Sequence, residues 1–313
     1  MRIVISEFMD EGAVAMLAAR HDTFYDRALV NRPRELLERV ATADAVIVRN
    51  ATKVTRDMVA LAPVLKVIGR LGVGLDNIDV DACRERAIEV IPATGANALA
   101  VAEYVIGAAM LLMRGVYRST SMVANGDWPR GELSSGRELA GKTLGIIGYG
   151  GIGRHCGRLG RALGMRVVAF DVAIPAASTI WHDESVVAVS FDEVLAESDV
   201  LTVHVPLIAA TRHLVDAARL LQMKRSAVLI NTARGGVVDE EAVAAALTSG
   251  RLGGAALDVF EHEPLAVGSP LVGCPNLLLT PHIAGVTAES NVRVSMLVAE
   301  RVDAALGRVP VVS

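Results

Sequence analysis

Three glycines, Gly148, Gly150 and Gly153, fall in the spacing G-x-G-x-x-G, and an acid, Asp171, follows 18 residues after the last of them. Glycines so spaced suit the binding of a pyrophosphate. Gly148 permits a tight turn and Gly150 lets the backbone approach phosphate, whose charge meets the N–H groups at a helix start. Gly153 lets that helix pack closely on a sheet. The apolar runs Thr143–Gly148 and Arg166–Phe170 flank the turn, so strand, glycine turn, helix, strand and acid follow in the order of a dinucleotide-binding βαβ unit. Asp171 suits a ribose diol and would repel a 2′-phosphate. Val172-Ala173 supplies no compensating arginine, so NAD is expected rather than NADP.

A second set of reactive residues follows three later apolar runs. Val228-Leu229-Ile230 leads into Asn231-Thr232-Ala233-Arg234-Gly235-Gly236. Ala255-Ala256-Leu257 leads into Asp258 and then Glu261-His262-Glu263-Pro264, and Leu277-Leu278-Leu279 into Thr280-Pro281-His282-Ile283-Ala284-Gly285. Ligands in open α/β sheets sit beyond the carboxyl ends of strands, so an arginine, acids and a histidine emerge where a ligand would lie. Singly, each has a plainer reading: a surface cation for Arg234, a solvated acid for Glu263, a hydrogen-bonded loop histidine for His282. His204, after Thr202-Val203, reads as structural or as lining the cofactor cleft. His21, His155, His182, His213 and His262 read as structural or exposed, and Cys156 as helix packing.

The elements that must position these residues alternate along the chain. Strands are predicted at Ile3–Ile5, Ala45–Val48, Lys66–Ile68 and Glu89–Ile91. Helices are predicted at Gly12–Arg20, Arg34–Ala41, Thr55–Leu61 and Val80–Arg86, which together make a small parallel sheet with helices on its faces. The Ala-rich stretch Asn97–Arg114 predicts a buried helix linking two lobes, and Gly126-Asp127-Trp128-Pro129 a turn. Strand signals then recur at Thr143–Gly148, Arg166–Phe170, Val200–Val205, Ala227–Asn231, Gly254–Asp258 and Leu277–Thr280, enough for one dinucleotide-binding domain. A last helix, Ala288–Leu306, follows that completed set and is expected to return to the first lobe. The expected fold is α/β, with two doubly wound parallel-sheet domains. A discontinuous flavodoxin-like substrate domain (1–97 and 286–313) holds an inserted Rossmann NAD-binding domain (98–285).

Composition agrees with this. The 313 residues suit two domains, and 52% hydrophobic with only 4% aromatic content suits buried Ala/Val/Leu/Ile strands. A net charge of −4 without a basic cluster argues against nucleic acid. No apolar run has membrane-spanning length. The N-terminus lacks a signal-peptide pattern, since Glu7, Asp10 and Glu11 follow a short strand-like run. Three scattered cysteines, Cys83, Cys156 and Cys274, exclude a disulfide framework, and no C-x-x-C or His/Cys cluster points to a metal. A cytoplasmic protein without metal is the expectation.

These motifs together resemble the D-isomer-specific 2-hydroxyacid dehydrogenases. The resemblance runs from Arg49-Asn50-Ala51-Thr52-Lys53-Val54 through Gly69-Arg70-Leu71-Gly72-Val73-Gly74-Leu75-Asp76-Asn77-Ile78-Asp79. It continues over Asn231–Asp239 and Ala255–Pro264 to Pro281-His282-Ile283-Ala284-Gly285. Within the family the wording is similar to 3-phosphoglycerate and sulfolactate dehydrogenases. The C-terminal regulatory domain of longer phosphoglycerate dehydrogenases is missing, so feedback by serine is not expected.

The resemblance implies a catalytic triad of Arg234, Glu263 and His282. A guanidinium can grip a 2-hydroxy or 2-oxo carboxylate with paired hydrogen bonds, an imidazole can exchange the hydroxyl proton, and a carboxylate can orient the imidazole. It implies an NAD site drawn from Gly148, Gly150, Gly151, Ile152, Gly153, Asp171, Val205, Pro206, Thr232, Ala233, Arg234, Asp258, His282 and Gly285. The substrate site is expected from Arg49, Lys53, Arg70, Leu71, Gly72, Val73, Gly74, Arg234 and His282. In it the Leu71–Gly74 turn offers N–H groups to a carboxylate and the three cations meet a second anionic group; an ordinary tight turn and solvated charges are the plainer readings. A homodimer is implied, with Asn97–Arg114 and the following segment as interface and Arg130 reaching in from a partner. The substrate implied is a D-configured 2-hydroxy acid with an anionic tail, such as 3-phosphoglycerate or sulfolactate. Glyoxylate or hydroxypyruvate reduction, and an NAD-sensing scaffold of the corepressor type, remain open as alternatives.

Overall fold

The apolar run Ile3-Val4-Ile5 and its neighbour Ala45-Val46-Ile47-Val48 are buried throughout, as strands covered on both faces must be. They lie in a computed structural model that describes residues 1–308; positions 309–313 of the expected substrate domain lie outside the described residues. Contacts divide the chain into two units, Met1–Asn97 with the chain from Val286 onward, and Ala98–Gly285.

The first unit contains strands β1 (Arg2–Ile5), β2 (Asp22–Tyr25), β3 (Ala45–Val48), β4 (Val67–Arg70) and β5 (Glu89–Pro92). All pair in parallel, in the order β2-β1-β3-β4-β5, which is the flavodoxin-like doubly wound order. Helices Glu11–Ala18 and Ala288–Gly307 cover one face, packing Leu17, Val298 and Val302 on Ile3, Ile5 and Ile47. Helices Pro33–Val40, Arg56–Ala60 and Val80–Glu85 cover the other, around Val46, Ile68 and Met58. Helix starts follow from capping chemistry. Asp10 accepts from the N–H groups of Gly12 and Ala13, and Thr287 and Ser290 form a reciprocal capping box.

The second unit contains β6 (Thr143–Ile147), β7 (Arg166–Phe170), β8 (Val187–Ala188), β9 (Val200–Val203), β10 (Val228–Asn231), β11 (Gly254–Leu257) and β12 (Leu277–Leu279). Their order, β12-β11-β10-β9-β6-β7-β8, is all parallel and reverses beside β6, as in a Rossmann sheet. Helix Ala98–Arg114 belongs to this unit. Its buried face (Ala102, Val105, Ala109, Leu112) packs against helix Gly151–Ala162 and beneath β10 and β11.

Two strands lie beyond the expected set. β2 is a polar edge strand, Asp-Thr-Phe-Tyr, without a buried residue, and β8 is only two residues long. The expected ends of β6, β9, β10, β11 and β12 shorten by one or two residues where the turns take over. The segment after Arg114 forms two short helices, Ser119–Ala124 and Arg130–Leu133.

Candidate active site

Three turns leave the carboxyl ends of β10, β11 and β12. In the first, the buried Asn231 side chain ties the chain back on itself, accepting from Ala233 N at 3.0 Å and donating to Arg234 O at 3.0 Å. This is an Asx-type closure. It sets the half-buried Arg234, whose Nη1 donates to Ala233 O at 2.6 Å. The next residue, Gly235, meets the β11 turn backbone to backbone.

In the second turn, Glu263 accepts from Phe260 N through Oε1 at 3.1 Å and points Oε2 at His282 Nδ1, 2.8 Å away. With Nδ1–H donated to the carboxylate, Nε2 of His282 is the ring's acceptor. The two side chains remain 38% and 46% exposed, open to a ligand. His282 itself adopts φ +56°, a left-handed conformation costly for a side-chain-bearing residue. Its N–H donates to Asp258 O at 2.8 Å and Thr280 O at 3.0 Å. The Asp258 carboxylate, 1% exposed, accepts from Thr280 Oγ1, Ile283 N and Ala284 N at 2.6, 2.8 and 2.8 Å. Asp258, expected beside the cofactor, thus holds the β12 turn.

The glycine turn fits a dinucleotide. Gly148 has φ +91°, and a Cβ there would come within 2.5 Å of His204 O; a Cβ on Gly153 would meet Gly148 O at 2.3 Å. Among the described residues, a Cβ on Gly150 or Gly151 would meet nothing within 4 Å, and Gly150 caps its helix with no side-chain hydrogen bond. The helix start is therefore an open cradle of N–H groups with room for phosphate. Asp171 ends β7 with its carboxylate held by Tyr149 N at 2.7 Å and Ala173 N at 2.8 Å. Ile152 is half-buried beside this turn, and Tyr149 anchors it from below through Glu184 at 2.7 Å and Trp181. Val205 and Pro206 follow β9, Thr232 and Ala233 follow β10, and Gly285 ends the β12 turn; all but the buried Thr232 keep some exposure.

His204 keeps partial exposure but is held by its neighbours. Its Nε2 lies 3.0 Å from Thr202 Oγ1 and 3.5 Å from Cys156 Sγ, and desolvation drives its pKa down to about 3. Burial also pushes the Cys156 thiol up to about 12, so neither group is ionised near neutrality.

In the first unit, Arg49 follows β3 and Arg70 ends β4. Arg49 donates from Nη2 to Asn291 Oδ1 at 2.9 Å and lies over the Phe8 ring; burial pulls its pKa down, opposed by the Glu7 carboxylate. Glu7, only 6% exposed, accepts from the N–H groups of Arg49, Ala51 and Thr52. It shapes the Arg49 loop, a role without a motif in the sequence. Arg70 Nη1 donates to Leu71 O at 3.0 Å, while Lys53 is exposed. The N–H groups of Leu71 and Gly72 are already taken by Val48 O and Arg70 O. That leaves Val73 and Gly74 as the turn's candidate donors. In the second unit, Arg130 starts a short exposed helix.

A family model described as D-isomer specific 2-hydroxyacid dehydrogenase, NAD binding domain, matches residues 106–284. The chain belongs to that family. Its cofactor is NAD, and it is an oxidoreductase acting on a CH–OH carbon. The (S)-sulfolactate dehydrogenase of Chromohalobacter salexigens is 50% identical over 305 residues, covering 97% of this chain and 98% of that one. The hydroxypyruvate reductase of Thermotoga maritima is 37% identical over 308 residues, covering 98% of each. Among solved structures, the TT0316 protein of Thermus thermophilus superposes with a TM-score of 0.89 at 35% identity, covering 99% of both chains. Among the described residues, no helix is long and apolar enough to cross a membrane, and no group of three or more His, Cys, Asp or Glu could hold a metal.

Proposed function

We propose that the chain interconverts a D-configured 2-hydroxy acid carrying an anionic tail, sulfolactate or 3-phosphoglycerate, with its 2-oxo acid. The observation that carries the chemistry is the 2.8 Å contact between Glu263 Oε2 and His282 Nδ1 at the strand ends where a Rossmann ligand lies. The 50% identity with a sulfolactate dehydrogenase supports the tail.

Gly148, Gly150, Gly151, Ile152 and Gly153 hold the NAD pyrophosphate, and Asp171 holds its ribose. When bound, NAD supplies the acceptor for the hydride from substrate C2. His282 Nε2 takes the hydroxyl proton in oxidation and returns it in reduction. Glu263 fixes the ring's tautomer and aim. Arg234 binds the carboxylate and polarises the C2 oxygen. Val73 and Gly74 are the proposed N–H donors to a carboxylate, and Arg49, Lys53 and Arg70 the proposed cations for the tail.

A second copy of the chain is the proposed partner, in the cytoplasm. Supporting it, helix Ala98–Arg114 turns Gly107, Met110, Leu111 and Arg114 outward, and Val116, Val123 and the 76%-exposed Trp128 follow. Free Cys83, Cys156 and Cys274 suit a reducing compartment.

Reduced-cofactor formation should be followed for sulfolactate, 3-phosphoglycerate, glycerate and lactate with NAD and NADP, and the reverse reaction with hydroxypyruvate and glyoxylate. The tailed acids with NAD should give the highest kcat/KM. Equal or faster turnover of glycerate, hydroxypyruvate or glyoxylate would remove the tail from the proposal. Tight NADH binding without turnover of any acid would favour a scaffold.

A further inference from the structure

Tyr104 sits on helix Ala98–Arg114, 176 positions from Thr280, yet its hydroxyl oxygen lies 2.6 Å from Thr280 Oγ1. Thr280 Oγ1 in turn donates to Asp258 Oδ1 at 2.6 Å. A threonine hydroxyl has one proton, and it is used on Asp258. Tyr104 must therefore be the donor in its own contact. Burial, the largest influence on this phenol, raises its pKa, so it remains protonated and donating. The result is a directional chain, Tyr104 to Thr280 to Asp258, in which each short bond polarises the next.

The far end of the chain is the His282 turn. Asp258 grips it through Ile283 N and Ala284 N, and its carbonyl receives His282 N. His282 holds a left-handed backbone, which persists only where its surroundings over-determine it. Thr280 and Asp258 are the inner supports. Tyr104 is the outer one, fixing the Thr280 hydroxyl toward Asp258 from a rigid core helix.

We infer that Tyr104 is a positioning residue for His282, acting through Thr280 and Asp258; this rests on His282 being the proton-transfer residue. The test is a cycle of Y104F, T280V and the double variant, with T280S and H282N as controls. Each is assayed for kcat and KM on the fastest acid of the panel, for NADH affinity, and for Tm. Y104F should lower kcat by about 3- to 10-fold, the scale of one neutral hydrogen bond, with KM and NADH affinity changed by less than about twofold. T280V should cost at least as much, T280S should restore most of the rate, and the double variant should equal T280V, because the bonds act in series. An unchanged kcat in Y104F, losses that multiply in the double variant, or lower Tm without a kcat change would overturn the inference. If H282N abolishes turnover while Y104F is silent, the Tyr104 role alone fails. If H282N remains active, the reading of His282 falls and the inference with it.

Discussion

Gly235 and Phe260 meet so closely that a methyl group on the glycine would stand 1.8 Å from the Phe260 carbonyl oxygen. The obstructing atom is backbone, so it cannot rotate aside. This contact locks the turn bearing Arg234 to the turn bearing Glu263.

Gly235→Ala should therefore move both turns. We expect destabilisation of about 1–3 kcal/mol, seen as a lower Tm or urea midpoint, with kcat/KM falling by more than tenfold. A variant with unchanged midpoint and rate would show that the two turns tolerate separation.

Glu263→Gln keeps an oxygen for Phe260 N and removes the charge facing His282. Turnover should fall by about 10-fold or more, and H282N should fall further, by about 10²–10⁴-fold, the range for losing a general acid–base group. KM should change little in either. Full activity in E263Q would assign the orientation of His282 to its backbone bonds alone.

A Cβ on Gly72 would lie 1.5 Å from Arg70 Nη1, so G72A must expel that guanidinium from its bond to Leu71 O. If Arg70 holds the anionic tail, G72A and R70Q should both raise KM for sulfolactate or 3-phosphoglycerate by about 10-fold, equivalent to about 1.4 kcal/mol. The effect on lactate should be small. Equal increases for tailed and untailed acids would take Arg70 out of tail recognition.

His204 predicts an acid dependence of stability. Its pKa falls from 6.5 to about 3 on folding, through desolvation. Between those values the unfolded chain binds a proton that the folded one refuses, so stability is complete above pH 6.5 and declines as pH drops toward 3. H204N should flatten the decline by up to about 1.4 kcal/mol per pH unit in urea titrations between pH 6 and 4. It should leave the pH profile of turnover between 6 and 8 unchanged; a shifted profile would make His204 a participant in proton transfer.

The alternation of apolar runs made both parallel sheets legible, because strands covered on both faces must be apolar along their length. β2 escaped for the opposite reason: Asp22–Tyr25 is an edge strand with no buried residue, so composition does not mark it. β8 is too short to show a period. The turns that carry Arg234, Glu263 and His282 were legible because each comes after an apolar run, and the family resemblance drew attention to those three side chains. The residues that brace the His282 turn and the Arg49 loop were not. Tyr104 reads as one more residue of an apolar helix, and Glu7 as a surface acid after a strand. Each acquires its role through hydrogen bonds to residues far along the chain, 176 positions away for Tyr104 and 42 to 45 for Glu7. Local patterning carries no trace of such pairings.

Helix Ala288–Gly307 lays Val298 and Val302 against Gly69, where a Cβ would stand within 3 Å of either side chain. That face of β4 is covered by residues made more than two hundred codons later. On the ribosome, the opening segment must wait, partly uncovered, while the whole nucleotide-binding half emerges and folds. The strands of the first unit are made before the nucleotide-binding unit and the helix that covers them after it, so a product truncated before Ala288 would combine a finished coenzyme module with an uncovered sheet, marked for aggregation or proteolysis.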